Sequence, residues 1–272
     1  MLVFPTWACG AHLRANGIRQ HYYRLGEDGP PLVLVPGIVS PAALWLHVGT
    51  RLARHFRVHL LDVRGRGLSE SGAHLDYGLD ACADDVEAFA HALGLSGYTL
   101  VGHSMGARIG LRLARRGAGA VNHLVLLDPP ASAPGRRPYP VDMARSVKMV
   151  QAALRGEGEA YLRSPGVAPW PEPLLRLRAE WLATCDLRAI EVAYRDFHAQ
   201  DPYDDLRRAT VRTSLLAAGA SGVIQDGDLA DLRAANPALR IEVLKGAAHQ
   251  FQAENIDAFM SALGSVLGVA LQ

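Results

Sequence analysis

The chain has 272 residues, 49% of them hydrophobic, and a formal net charge of +1 at pH 7. That length suffices for one large core, and the alternation of acidic with basic residues argues against a nucleic-acid or anionic-membrane surface. No apolar run approaches the ~20 residues of a membrane span, and the amino terminus lacks a signal-peptide pattern. Cys9, Cys82 and Cys185 are too widely spaced for a disulfide framework or a CxxC metal site, so we expect a soluble cytoplasmic protein.

The first 130 residues alternate short apolar runs with longer stretches of helical periodicity. The apolar runs predict strands at 19–25, 32–35, 58–62, 98–102 and 123–128. The stretches between them predict helices at 42–54, 80–93 and 105–116. Runs that are apolar throughout are typical of strands buried on both faces, so the alternation predicts a mostly parallel sheet with helices on both faces.

The alternation stops after residue 128. A segment rich in proline and glycine follows, and then amphipathic pieces without strand-like runs at 141–154, 173–183 and 187–198. A strand at 214–218, a helix near 228–235, a strand at 241–244 and a helix at 255–267 close the chain. We therefore predict an α/β core made of residues 1–129 and 203–272, with residues 130–202 inserted as a helical cap.

The sharpest local signal is Gly102-His103-Ser104-Met105-Gly106, between a predicted strand and a predicted helix. A bare pentapeptide of this kind is common by chance, but here it has the strand–turn–helix setting of the nucleophile elbow in α/β-hydrolase folds. The turn strains the serine backbone, so residues in close approach must lack side chains. We predict that Ser104 is a nucleophile and that the amide of Met105 faces the oxyanion.

A second oxyanion donor should come from the loop after an early strand. That strand ends in Pro36-Gly37, and the backbone amide of Ile38 is the candidate donor, although an ordinary turn would also favour Pro-Gly. Residues 62–69, DVRGRGLS, resemble the D-x-R-G-x-G-x-S segment of the same superfamily. We assign them a structural role, as a glycine-rich loop held by hydrogen bonds of its aspartate and arginine.

Eleven histidines compete for the role of general base. His249 follows the last predicted strand and precedes the final helix, which is where the α/β-hydrolase fold delivers its base. The chain order serine, aspartate, histidine is then satisfied. His103, inside the elbow, is expected to face away from the serine as a packing residue.

The acid is the least obvious member of the triad. Many relatives place it after the second-last strand, but residues 218–223 contain no aspartate here. Asp226 and Asp228 lie further on, at a predicted helix start where capping is the simpler role. Asp128 ends a buried strand at the same sheet edge, so we predict that it orients His249.

With these residues in hand, the chain resembles the N-formylmaleamate deformylases of aerobic nicotinate degradation over nearly its whole length. VGHSMG is generic to the superfamily, whereas ANGIRQHY, LRAEWL and DPP with a downstream GRR-Y-P are more particular. One departure is His249-Gln250-Phe251, which replaces a more usual apolar pair. The matching stretches lie at 15–22, 34–38, 61–69, 75–83, 100–108, 124–130, 134–140 and 177–182.

The resemblance implies a serine hydrolase that deformylates N-formylmaleamate without a metal or organic cofactor, with Asp128 as triad acid. The substrate is a small carboxylic acid, so the pocket needs a cation, and a bidentate arginine would suit. In so arginine-rich a chain each candidate could equally be a structural or solvated side chain. The predicted substrate contacts are Arg108, Arg136, Arg137, Tyr139, Arg178 and Trp181, with Trp45 as a further wall residue.

Two other interpretations stay open. A small-acyl carboxylesterase, a lactonase or a carbon–carbon bond hydrolase could use the same triad, because fold and triad do not fix the substrate. Dehalogenases and epoxide hydrolases are disfavoured, since they carry an aspartate where Ser104 stands. A non-catalytic small-molecule receptor belongs to a different class, and the complete triad argues against it. The oligomeric state is not indicated.

Overall fold

A computed structural model describes residues 9–117, 120–168 and 170–271. Its centre is an eight-stranded sheet whose strands lie in the order β1-β2-β4-β3-β5-β6-β7-β8. The pairs β1–β2 and β2–β4 are antiparallel, and all the other pairs are parallel. The strands are β1 (Cys9–Ala15), β2 (Ile18–Leu25), β3 (Pro31–Val35), β4 (Arg57–Leu61), β5 (Tyr98–His103), β6 (Val121–Leu127), β7 (Arg212–Ala218) and β8 (Arg240–Leu244).

Helices pack on both faces of this sheet, as the sequence predicts for an α/β-hydrolase fold. Two short 3₁₀ turns, Ala42–Trp45 and Leu182–Thr184, accompany them. No helix in the described ranges is long and apolar enough to cross a membrane. The helices are α1 (Leu46–Leu52), α2 (Leu79–Ala92), α3 (Met105–Ala114), α4 (Met143–Leu154), α5 (Gly158–Leu162), α6 (Glu172–Trp181), α7 (Leu187–Ala199), α8 (Pro202–Arg208), α9 (Asp226–Ala235), α10 (Phe251–Glu254) and α11 (Ile256–Leu267).

The core lies in two layers because strand side chains alternate between the sheet faces. Along β3, Val33 and Val35 join an apolar cluster with α2 and α3. Leu32 and Leu34 join the opposite cluster, with α1 and α11. Burial on both faces explains why these strands read as continuous apolar runs.

The insert between β6 and β7 has an apolar cluster of its own, which includes Met149, Trp170, Leu174 and Ile190 from α4 to α7 and their connections. The last helix of this stretch, α8, instead packs against α3 and α9 of the sheet region. The division predicted between residues 202 and 203 falls in the first turn of α8. This cluster also contains Val39 and Ala253 of the sheet region, so the division into a core and a cap stays a prediction.

Most predicted strands and helices match within two residues, and the misses have local causes. Strand β1 was not predicted because it is an edge strand with no fully buried side chain, so it carries no apolar run. The predicted helix at 42–54 is divided, with the turn Ala42–Trp45 preceding α1. The short helices α5, α8 and α10 also escaped prediction.

Candidate active site

The predicted elbow forms at the carboxyl end of β5. Ser104 is the single residue between β5 and α3, and its φ of 53° lies in the left-handed region that non-glycine residues rarely adopt. A Cβ at Gly106 would collide with the carbonyl oxygen of Val35, and one at Gly102 would collide with backbone atoms of Gly106. The motif therefore needs both glycines because α3 starts in direct contact with the sheet.

The three predicted triad residues lie in one hydrogen-bonded chain. Ser104 Oγ is 3.0 Å from His249 Nε2, and His249 Nδ1 is 2.6 Å from Asp128 Oδ2. Asp128 is fully buried, whereas the His249 side chain is 17% exposed, so the chain of hydrogen bonds runs from the core to the cavity. Such an arrangement can transfer a proton from the serine hydroxyl to the imidazole.

The acid is held by its own backbone and by β7. Asp128 has a φ of 44°, its amide donates to Leu216 O at 3.0 Å, and its Oδ1 accepts from Ala218 N at 3.1 Å. The rival Asp228 completes the capping box at the start of α9, as the sequence suggests. Among these aspartates, Asp128 is thus the one placed against the histidine.

Two hydrogen bonds hold the backbone of the loop that carries His249. Glu254 Oε2 accepts a hydrogen bond from the amide of Ala248 at 3.1 Å. His103 Nε2 donates to the carbonyl oxygen of His249 at 3.0 Å. Burial, and then the neighbouring His249, lower the pKa of His103 well below its usual value, so its ring is neutral. His103 does more than pack, because it fixes the backbone of the predicted base.

The predicted oxyanion loop lies directly against the elbow. A Cβ on Gly37 would come within 3.1 Å of the His103 ring and 3.3 Å of the Ser104 Cβ, so a side chain there would crowd the elbow. Arg66 Nε donates to the carbonyl of Ile38 at 3.1 Å. In the described part of the chain, no residue accepts a hydrogen bond from the amide of Ile38. This amide is available to an oxyanion, as is the start of α3.

The glycine-rich segment at 62–69 braces this loop. Asp62 accepts from the amides of Ala42 at 2.6 Å and Leu68 at 3.1 Å. Arg64 forms a buried ion pair with Asp85 at 2.5 Å. The structural role predicted for the aspartate and the arginine is confirmed.

A cavity of about 180 Å³ opens above Ser104. The core contributes the oxyanion loop, the elbow and the His249 loop, including the unusual Gln250. Phe251, the other unusual residue, is buried in the sheet core instead. The cap side is formed by Tyr139, Val141, Arg145, Ser146, Met149, Tyr161, Val167, Ala168, Trp170 and Arg178.

Three of the four predicted arginines bind other parts of the protein. Arg108 is buried and donates to the carbonyls of Pro130, Ser132 and Gln200. Arg136 pairs with Asp231 and stacks on a tyrosine. Arg137 pairs with Asp228 and donates to two carbonyls of the loop after β7. All three bind other parts of the protein and are not among the residues that line the cavity, so the structure does not bring them to the candidate site.

The fourth arginine, Arg178, does line the cavity, where it lies over the ring of Trp170. Tyr139 also lines the cavity, on the same side as Val141, and burial raises the pKa of this tyrosine. Trp181 instead packs toward the α1/α11 layer, and Trp45 is buried beside His103, so neither tryptophan is a wall residue.

Sequence reasoning missed Arg145 and Trp170 as cavity residues. Arg145 and Met149 are four residues apart on α4, so they share one helix face, and this periodicity was the available signal. Trp170 precedes α6, and nothing local marks its direction. Among the described residues, no three His, Cys, Asp or Glu side chains form a group that could hold a metal ion.

Comparison with known proteins agrees with this geometry. Residues 30–157 match the family model for the α/β-hydrolase fold. The N-formylmaleamate deformylase of Pseudomonas putida is 46% identical, over 96% of this chain and 97% of that one. A crystal structure of a serine-to-alanine variant of an N-formylmaleamic acid deformylase from Pseudomonas putida has a TM-score of 0.88 and 42% identity, covering 94% of this chain and all of that one. E-2-(acetamidomethylene)succinate hydrolase is 22% identical with a TM-score of 0.77, covers 96% of this chain and all of that one, and shares the fold.

Proposed function

The chain belongs to the α/β-hydrolase family and, within it, to the N-formylmaleamate deformylases, and from this premise we propose that it hydrolyses N-formylmaleamate to maleamate and formate. The observation that carries the proposal is the 46% identity over 96% of the chain. The hydrogen-bonded chain of Ser104, His249 and Asp128 supports it, because it supplies the nucleophile and base that amide cleavage needs.

The first step is attack by Ser104 Oγ on the formyl carbon. The serine proton passes to His249 Nε2, 3.0 Å away, as the new C–O bond forms. Asp128 accepts the Nδ1 proton of the same imidazole in a hydrogen bond, which selects the useful tautomer and stabilises the imidazolium.

The carbonyl oxygen becomes an oxyanion in the tetrahedral intermediate. The amides of Ile38 and Met105 donate to it, and the start of α3 adds a favourable electrostatic field. Donors that the fold holds in place before the reaction need little reorganisation, which favours the step.

Collapse of the intermediate breaks the bond between the formyl carbon and the nitrogen. His249 returns its proton to that nitrogen, and maleamate leaves with an intact primary amide. The nitrogen is conjugated to a second carbonyl, which makes it a better leaving group than an alkylamine. Water then gives a proton to His249 and attacks the formyl-serine, and collapse restores Ser104 and releases formate and a proton.

This assignment places the reaction in nicotinate breakdown in the cytoplasm, with residues 130–202 as a cap over the cavity. At about 180 Å³ the cavity is smaller than the pockets that hold drug-sized ligands, which suits a short acid. Each step above uses only protein groups and water, so we expect activity without added metal or organic cofactor.

The test is incubation of the purified protein with N-formylmaleamate, without added metal, and assay of formate and maleamate. We expect a one-to-one ratio and a loss of at least ~10⁴-fold in kcat for Ser104→Ala. Ser132→Ala is the matched control, because that buried hydroxyl has no hydrogen-bond partner among the described residues.

The remaining outcomes separate the alternatives. Absence of formate together with Ser104-dependent hydrolysis of a small-ester panel would replace the deformylase by a small-acyl carboxylesterase. Ser104-dependent cleavage of a vinylogous diketone would indicate a carbon–carbon bond hydrolase. Tight binding of N-formylmaleamate without any turnover would indicate a receptor.

A further inference from the structure

The cap wall of the cavity carries two guanidinium groups that form no ion pair with any acidic residue in the described part of the chain. Arg178 projects from α6 and Arg145 from α4, and both line the cavity. Among the described residues, neither forms an ion pair with a carboxylate. Arg145 donates only to the backbone carbonyl of Gly166, at 2.8 Å.

Three arginines that are buried elsewhere in the described residues have carboxylate or carbonyl partners. Arg64 pairs with Asp85, and Arg112 pairs with Asp205 and Asp80. Arg66 donates to three backbone carbonyls from its three nitrogens. These partners follow the general rule that a charge removed from water requires hydrogen bonds or an opposite charge.

Arg178 departs from that rule. Its contacts are a 3.4 Å hydrogen bond to the Met149 sulfur and the face of Trp170, 4.4 Å from the guanidinium carbon. Thioethers are weak acceptors, and an aromatic face stabilises a cation without consuming its in-plane N–H donors. The guanidinium therefore keeps donors free at the cavity surface.

The charge on Arg178 is costly but persists. Burial, and then the nearby Arg145, lower the pKa of Arg178 to about 10, so it is still protonated at neutral pH. Two like charges facing one cavity repel each other, and an anion between them would relieve that repulsion and the desolvation cost together.

We propose that Arg178, with Arg145 at the rim, is a carboxylate-binding site that holds the free acid group of the substrate while its acyl end faces Ser104. The substrate class is then the N-acyl amides of short dicarboxylic acids that carry one free carboxylate. The identity of the acyl group rests on the proposed function, whereas the anion site rests on the cavity itself.

The direct test measures binding of maleate, a dianion of matching length, to the Ser104→Ala protein by calorimetry. We expect Arg178→Met to weaken maleate binding by ~10- to 100-fold, because a charge-assisted bidentate contact is lost. Arg145→Met should cost less, since that side chain is exposed. Arg176→Met is the matched control on the same helix, where it pairs with Glu172 on the exposed surface.

Kinetics on the enzyme with Ser104 intact give the second test. Arg178→Met should raise KM for N-formylmaleamate while leaving hydrolysis of p-nitrophenyl formate, a neutral formyl donor, within about twofold. Equal losses on both substrates, or unchanged maleate affinity in Arg178→Met, would overturn the proposal. If the protein releases no formate from N-formylmaleamate but binds maleate through Arg178, the deformylase function fails and the anion site stands.

Discussion

The core wall and the cap wall of the cavity use their polar groups in opposite ways. On the core wall, Ser104 and His249 form a hydrogen-bonded chain with the buried Asp128 behind them, and the backbone has unusual conformations at both the serine and the aspartate. On the cap wall, Arg178 and Arg145 have no acidic partner among residues 9–117, 120–168 and 170–271.

This difference indicates that the core wall carries out the reaction and the cap wall binds the substrate. The core wall is built where strands end, and its residues are fixed by contacts across the sheet. The cap wall is carried by helices whose apolar cluster is largely their own. Changes in the core wall should therefore lower kcat, whereas changes in the cap wall should act on KM, and the following predictions test that division.

The largest effect is expected for Asp128→Asn. An amide at this position can hold His249 in the wrong tautomer, so we expect kcat to fall ~10⁴-fold with little change in KM. The cap control is Asp142→Asn, at the start of α4, where asparagine caps a helix as well as aspartate does. Formate release under saturating substrate measures both; a fall below tenfold for Asp128→Asn would contradict the assigned acid.

A glycine-to-alanine substitution should lower the free energy of unfolding more at the elbow than in the cap. Gly106→Ala should lower the free energy of unfolding by about 3 kcal/mol, because the new Cβ meets backbone atoms of β3 that cannot yield. Gly166→Ala in the cap has open space and only its φ of 84° to oppose it, so we expect about 1 kcal/mol. Urea denaturation measures both values, and equal losses would show that the close approach at the elbow is not tight.

His103 should affect kcat because its ring holds the loop that carries His249. His103→Phe keeps ring volume but removes the donor to the His249 carbonyl, and we expect about a tenfold lower kcat at unchanged KM. His103→Gln restores a nitrogen donor and should recover part of the loss. If both variants lose the same rate, or if KM rises as well, His103 is a packing residue only.

The smallest effect concerns acid stability. Burial lowers the pKa of His59 to about 4 and that of His123 to about 4. Below pH ~6.5 both histidines bind a proton in the unfolded chain but remain neutral in the folded protein. The free energy of unfolding therefore falls as the pH drops towards ~4. Both rings belong to sheet strands, β4 and β6, and not to the cap.

Replacing one of these rings should flatten the pH dependence. For His59→Leu we expect the loss of stability between pH 6.5 and pH 5 to shrink by about 1 kcal/mol. Urea curves at pH 7, 6 and 5 measure it, with the exposed His55→Gln as control. An unchanged slope would mean that His59 is protonated in the folded protein.

The core wall could be predicted from sequence because each part has a local signature. The elbow pentapeptide, the apolar strands and the histidine after the last strand all occur in short windows, and Asp128 followed from the missing aspartate after β7. The role of His103 could not be predicted, because its partner lies 146 residues away along the chain.

The cap wall was predicted poorly for the same physical reason. Arg136, Arg137 and Arg178 look alike in a chain whose basic residues are nearly all arginine. Which guanidinium meets a carboxylate is decided by packing between distant segments, such as Arg137 with Asp228. Arg178, which has no acidic partner among the described residues, can therefore be identified only from the structure.

Trp170 gives the cavity a native optical signal. Among the tryptophans that the structure describes, it is the one that lines the cavity, and its buried ring lies under a cation. Indole fluorescence depends on nearby charge, so neutralising Arg178 changes the emission of this ring while Trp45 remains shielded in the core. The protein therefore needs no attached dye for occupancy of its cavity to be followed in real time.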